Sequence, residues 1–315
     1  MFDIFLATLS PMLFMFLCIA IGFVLNKKKL CPENTSTVLS KLETYVLAPA
    51  LTINTFSKYC TVQSLSAQYQ MLLYNLLAIC LAIGIAYLLA PLFEKKGYQR
   101  SIYRYSLAIA NLGFLGNAIV PVIFGEARLY DYMLFTLPAT LAVYTWGIAS
   151  LIPRSAEHPN PLRNLLNPSV FAVIIGATLG LTGLTAHLPS FVTITLSNLS
   201  NCMGPIAMVL TGFIIANYPI KKLISVKNIY TLSLLRLIVL PAFFILLLKF
   251  LGADDITLTM TLFCFGTPLG LNTIVFPAAY GGDTSTGASM AMVSHTLSII
   301  TIPVMYVLMK LFILA

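Results

Sequence analysis

Apolar residues run along this chain in long blocks, separated by short polar or basic stretches. Ten blocks reach the roughly 20 residues that a helix needs to cross a bilayer. They lie at about 3–25, 37–57, 67–93, 101–125, 130–152, 167–185, 190–217, 228–250, 256–281 and 284–312. The pattern predicts an all-α polytopic membrane protein with ten transmembrane helices. The first block opens on Asp3 with no basic residue ahead of it, and Lys27, Lys28 and Lys29 follow it. That polarity is opposite to a cleaved signal peptide, so the block reads as a first span entering from outside.

Composition agrees with the pattern. Of 315 residues, 59% are hydrophobic and only 9% charged, and mean hydropathy is +0.92. A soluble domain carries roughly 25% charged residues. The net charge of +8 does not indicate nucleic acid, because the basic residues sit in short loops. With the N-terminus outside, Lys27, Lys28, Lys29, Lys41, Lys95, Lys96, Arg100, Arg104, Arg154, Arg163, Lys221, Lys222 and Lys227 fall inside. Lys58, Arg128, Lys249 and Lys310 fall outside, and Arg236 falls within a span. This bias predicts a multi-pass protein of the plasma (cytoplasmic) membrane with both termini outside.

The widest inner connection, 153–166, is polar and proline-rich and lies near the middle of the chain. It divides five helices (1–152) from five (167–315). An odd number of spans per half turns the second half upside down, which predicts two inverted five-helix repeats.

Each half carries one polar, helix-breaking cassette. Gly116-Asn117-Ala118-Ile119-Val120-Pro121-Val122-Ile123-Phe124-Gly125 answers Gly270-Leu271-Asn272-Thr273-Ile274-Val275-Phe276-Pro277-Ala278-Ala279-Tyr280-Gly281. A weaker echo pairs Leu47-Ala48-Pro49-Ala50 with Met203-Gly204-Pro205-Ile206. Breaks at matching points of two repeats are the best sequence pointer to a transporter's binding site. Pro121 and Pro277 lack N–H groups and would leave the carbonyls of Asn117 and Thr273 without helical partners. Two unwound helices crossing near the midplane would aim positive N-terminal ends at an anion such as a carboxylate. The expected substrate-binding set is Asn111, Gly116, Asn117, Thr267, Asn272 and Thr273. The expected helix breaks are Gly113, Pro121, Pro268, Gly270 and Pro277. Gly and Pro also occur in membrane helices merely as kinks or packing sites, and it is the recurrence with an Asn in both halves that favours a site.

Other chemistries find no motif. The cysteines Cys18, Cys31, Cys60, Cys80, Cys202 and Cys264 are scattered, with no spacing for a metal site or a disulfide frame. No HExxH, GxGD or DDxxD pattern is present, so an enzyme is not expected, nor a metal or a cofactor. Three ionisable residues fall within spans and are relay or charge candidates. Arg236 lies deep, as an attractor for the anion or as a structural group bonded to helix-end carbonyls. Glu43 lies near the inner interface beside Lys41; a solvated carboxylate is the plainer reading, proton coupling or pairing with Arg236 the sharper one. His295 suits an interhelical hydrogen bond or a proton relay. Asp283 suits a helix cap at the inner turn.

The ten-block pattern, Asn111-Leu112-Gly113-Phe114-Leu115-Gly116 before Pro121, Asn167-Pro168, Arg236 with Pro241, and Thr267-Pro268 together resemble the auxin efflux carrier family over essentially the whole chain. The resemblance implies crossed fourth and ninth helices and separate scaffold and transport domains. It further implies elevator-type transport of organic anions, including auxin and small carboxylates, commonly by homodimers. Pro121 and Pro277, with Pro268 as a second candidate, would be the crossover prolines. The expected partners are thus a small organic anion, the lipid bilayer and a second copy of the chain. A sodium- or proton-coupled importer of the bile-acid type shares a related fold and is the alternative, although cation coupling usually wants carboxylates near the crossover.

Overall fold

The computed structural model describes residues 2–153, 167–280 and 282–314, so most of the expected connecting loop and Gly281 of the second cassette lie outside the described residues. Among the described residues the chain is helical, without strands. The helices are α1 (Phe2–Lys27), α2 (35–59), α3 (Val62–Phe93), α4 (Tyr98–Ala108), α5 (Leu112–Phe124), α6 (Glu126–Leu151), α7 (Pro168–Thr182), α8 (Ser190–Ala216), α9 (Lys227–Phe250), α10 (Asp255–Phe265), α11 (Asn272–Ala279) and α12 (Ser285–Phe312). Six of them, α1, α3, α6, α8, α9 and α12, are long and apolar enough to cross a membrane.

Local sequence explains the ends. Thr61 and Ser64 form a reciprocal capping box at the start of α3, which satisfies two otherwise orphaned backbone donors. Asn167 caps α7 just ahead of Pro168, and the Asp254 side chain accepts from the Thr257 N–H at the start of α10. Between α5 and α6, Gly125 turns the chain at φ +86°, a conformation open to glycine at little cost. Among the described residues four helices contain a π-helical turn: Glu43–Leu47 in α2, Leu112–Gly116 in α5, Val143–Gly147 in α6 and Leu235–Val239 in α9.

The helices pack in two groups. In the first, α1 lies on α8, and α2 lies on both α7 and α8. The α1/α8 contact is close because it is made by glycine: a Cβ on Gly212 would stand 2.0 Å from the Ile19 carbonyl oxygen. Small residues permit such backbone approach in membrane helices, where lipid gives no hydrophobic drive for association. In the second group, α3 packs on α4 and α6, α10 on α6 and α9, and α12 on α9. Contacts of α12 and α5 with α1 and α8 join the groups.

Candidate functional site

The two broken segments meet. Between α4 and α5, and between α10 and α11, the chain leaves the helix and forms an isolated antiparallel bridge, Ala110 to Leu269. The Asn111 N–H donates to the Pro268 carbonyl at 2.8 Å. Gly270 makes room for the crossing, since a Cβ there would lie 3.3 Å from the Ala110 carbonyl oxygen. Irregular backbone needs internal partners where water is scarce, and side chains provide them. The Leu269 N–H donates to Ser294 Oγ at 3.0 Å, Tyr132 Oη donates to the Leu112 carbonyl at 3.0 Å, and Thr273 Oγ1 donates to the Gly270 carbonyl at 2.8 Å.

The position of the breaks corrects the sequence reading. Pro121 lies inside a regular helix, Asn117–Phe124, and Pro277 lies inside Asn272–Ala279. Neither marks the point of unwinding. Pro121 lies three residues before the end of α5 and Pro277 two before the end of α11, and in each the missing N–H costs a single helical bond. Pro268 and Gly270 do lie in the non-helical crossing, while Gly113 lies in the π-helical first turn of α5.

A cavity of about 160 Å³ opens beside the crossing. One wall is Ala110, Asn111, Leu112, Gly113, Phe114 and Asn117 with Asn272, Val275 and Phe276. Thr136, Thr140 and Tyr144 of α6 continue it. The opposite wall, Glu43, Thr44, Thr52 and Phe56 of α2, Ser169 and Val173 of α7, and Met203 of α8, belongs to the other packing group. Leu112, Gly113 and Phe114 supply the first N–H groups of α5, which have no acceptor in a preceding helical turn. A second cavity of about 220 Å³ is lined by Asn54, Thr55, Pro121, Glu126, Ser200 and Asn201. Asn117 and Met203 line both cavities and so form the wall between them.

The expected substrate-binding residues divide. Asn111, Asn117 and Asn272 line the first cavity. Asn111 Nδ2 is tied to His295 Nε2 at 3.3 Å, and Asn272 Nδ2 donates to Tyr105 Oη at 2.9 Å. Asn117 makes neither kind of tie. Thr273 is turned to its own backbone, Thr267 is buried with a hydroxyl that has no partner, and Gly116 packs against Tyr132. None of these three lines the cavity.

The ionisable candidates also separate. His295 Nδ1 lies 2.8 Å from the Ala291 carbonyl, which can only accept. Nδ1 therefore carries a proton and donates to that carbonyl, while Nε2 faces the Asn111 amide. It orients Asn111 in the way an interhelical hydrogen bond does. Arg236 is buried with Nε and Nη1 unpartnered, and its guanidinium lies 5.5 Å from the ring of Phe265, the last residue of α10. Arg236 does not line the cavity. Glu43 departs from the solvated interfacial reading: it is fully buried, both carboxylate oxygens lack partners, and it lines the cavity. It forms no ion pair with Arg236; among the described residues the ion pairs are Lys58–Glu126 and Arg128–Asp131. Asp283 caps the turn into α12, accepting from the Ser285 N–H.

Sequence reasoning missed several groups. The Tyr144 and Ser169 hydroxyls meet at 3.3 Å between the two walls of the cavity. Asn75 is buried in α3, accepting from the Ala139 N–H and lying 3.7 Å from Cys264 Sγ. A lone Asn in an apolar span was the available signal for the latter; Tyr144 sits in a run of aromatic and small residues and offered none.

A search of the curated proteins finds no match to the chain. A family model described as "Membrane transport protein" matches residues 7–306. With that match spanning nearly the whole chain, the protein belongs to the membrane transport protein family, the auxin efflux carriers.

Proposed function

We propose that the protein is a secondary transporter that moves small organic anions, carboxylates and possible auxin-like acids among them, across the plasma membrane by an alternating-access, elevator-type mechanism. In this reading the chain has ten spans in two inverted five-helix repeats, 1–152 and 167–315, and works as a homodimer. The observation that carries it is the cavity's position: crossed half-helices form one wall, and the other belongs to a separate packing group. Sliding one group past the other would carry a ligand held at the crossing. Asn117, at the wall between two cavities, is then the residue that a passing ligand meets from either side.

The carboxylate end of the substrate sits at the α5 N-terminus, where backbone N–H groups and the Asn117 amide donate. Its body lies against Phe114, Met133, Leu137, Val173 and Phe276. Replacing Asn117 by Leu removes a donor without adding charge. Affinity for a carboxylate should fall by roughly 1–3 kcal/mol if the amide meets it. Uptake of a carboxylate panel into proteoliposomes, wild type against N117L, tests this; equal uptake and affinity in a folded variant would move the site elsewhere. A coupled importer is the second reading, favoured by the buried acid Glu43 on the cavity wall. Repeating the uptake with and without sodium separates a sodium-coupled importer from the first reading.

A further inference from the structure

Glu43 is the anomaly of this molecule. Among the described residues it is the only Asp or Glu on the cavity wall, and none of the described Lys, Arg or His residues shares that wall. Both its oxygens are buried without a hydrogen-bond donor. It opens the π-helical turn of α2, a local irregularity frequent at functional sites.

Among the described residues the neighbourhood offers it no counter-ion. This turn packs on α7, which carries no ionisable side chain among its residues, and on α8, whose Cys202 is exposed. On its own helix, Lys41 and Tyr45 are exposed, and Lys58 pairs with Glu126 at the far end. Tyr59 shares that end, and across the cavity stands only Tyr144, bonded to Ser169. A buried, unpaired carboxylate is costly. A second negative charge brought into the same cavity raises that cost, because Coulomb repulsion is strong at low dielectric.

We propose that Glu43 is the proton site of this cavity, so that an organic anion occupies it together with one proton on the Glu43 carboxyl. The inference rests on the organic-anion reading above. A proton from water on one side adds to a Glu43 carboxylate oxygen as the anion enters. It leaves to water on the other side as the anion departs, so the pair crosses with no net charge. Proton and anion binding are then reciprocal: each strengthens the other by the same factor.

The test uses the full-length protein in detergent or nanodiscs, with phenylacetate and indole-3-acetate as carboxylate probes. Benzenesulfonate serves as an anion that does not itself titrate. Calorimetry between pH 5.5 and 8, in buffers of different ionisation enthalpy, reads both affinity and protons taken up. Wild type should take up about one proton per anion at the alkaline end, and its affinity should fall there by about tenfold per pH unit. E43Q, a permanent neutral mimic, should bind as tightly as wild type at low pH, take up no proton, and show a flat profile. A flat wild-type profile, or proton uptake that persists in E43Q, overturns the proposal while leaving the anion reading intact. So does selective loss of binding in folded E43Q, which would mean that binding needs the Glu43 carboxylate itself and not its protonated form. Failure of every anion to bind wild type across the range overturns the anion reading, and the proposal with it.

Discussion

At the scale of single residues, the asparagines and threonines near the crossing look interchangeable in the sequence but have different work in the structure. Thr273 closes a local bond to Gly270, and Asn117 has its amide at a cavity wall. Thr273→Val should therefore lower stability by about 0.5–1.5 kcal/mol, the net worth of one hydrogen bond, with affinity unchanged; N117L should do the reverse. Thermal unfolding and ligand titration of both variants check the crossing of effects. A variant that moves both quantities together would mean that the two roles are not separable. Which polar residue faces the cavity could not be read from the chain, because facing depends on the crossing, a contact between residues about 160 positions apart by sequence number, Ala110 and Leu269. Glu43 was placed at the interface because Lys41 lies two residues away. On a helix that spacing puts side chains on different faces, and the π-helical turn at Glu43 alters the local register as well.

At the scale of elements, the apolar blocks marked an all-helical chain, since long runs of such residues leave few alternatives, and among the described residues six helices are long and apolar enough to cross a membrane. Break positions were less legible. Proline is a strong local signal, yet Pro121 and Pro277 sit within helices, and unwinding occurs upstream, where two segments of chain exchange backbone partners. The crossing is held by Tyr132, Ser294 and the Asn111–Pro268 bond, none of which depends on those prolines. Accordingly, P121A and P277A should keep the crossing and retain uptake. Their stability should be unchanged or higher, since an interior helix proline is disfavoured by about 3 kcal/mol relative to Ala. Gly116→Ala should be the damaging change: its Cβ would stand 1.9 Å from Tyr132 Oη. Tyr132 would have to move and release the Leu112 carbonyl, an overpacking cost of about 1–3 kcal/mol. Unfolding midpoints and uptake for the three variants decide between a crossing built by prolines and one built by long-range bonds; loss of uptake in P121A with G116A unharmed would favour the prolines.

At the scale of the whole molecule, contacts between helix ends sort the loops into two sets, and the loop charges do so independently. Lys58 pairs with Glu126, and Thr185 donates to the Ser57 carbonyl, which brings the α2–α3, α5–α6 and α7–α8 connections to one end. Asn228 donates to the Phe93 carbonyl, Tyr98 to that of Leu151, and Tyr218 meets Thr284; Asn26 bonds to Asn217. These bring the α1–α2, α3–α4, α8–α9 and α11–α12 connections together, and that is the set holding Lys27, Lys28, Lys29, Lys95, Lys96, Lys221 and Lys222. Basic loops remain on the cytoplasmic side, so the second end should be inside and the first outside. Single cysteines placed at exposed positions Lys95 and Ser225 should label only from the cytoplasm, and ones at Glu126 and Asp255 only from outside. Membrane-impermeant maleimide applied to intact cells and to inverted vesicles reads the two sides. Labelling of Glu126 and Asp255 from opposite sides would break the inverted-repeat topology, because these positions open the fifth and the ninth proposed spans, which start on the same side when ten spans alternate. Labelling of all four sites with sides exchanged would preserve the repeats and reverse the orientation, and the second cavity, lined by Glu126, would then face the cytoplasm instead of the exterior.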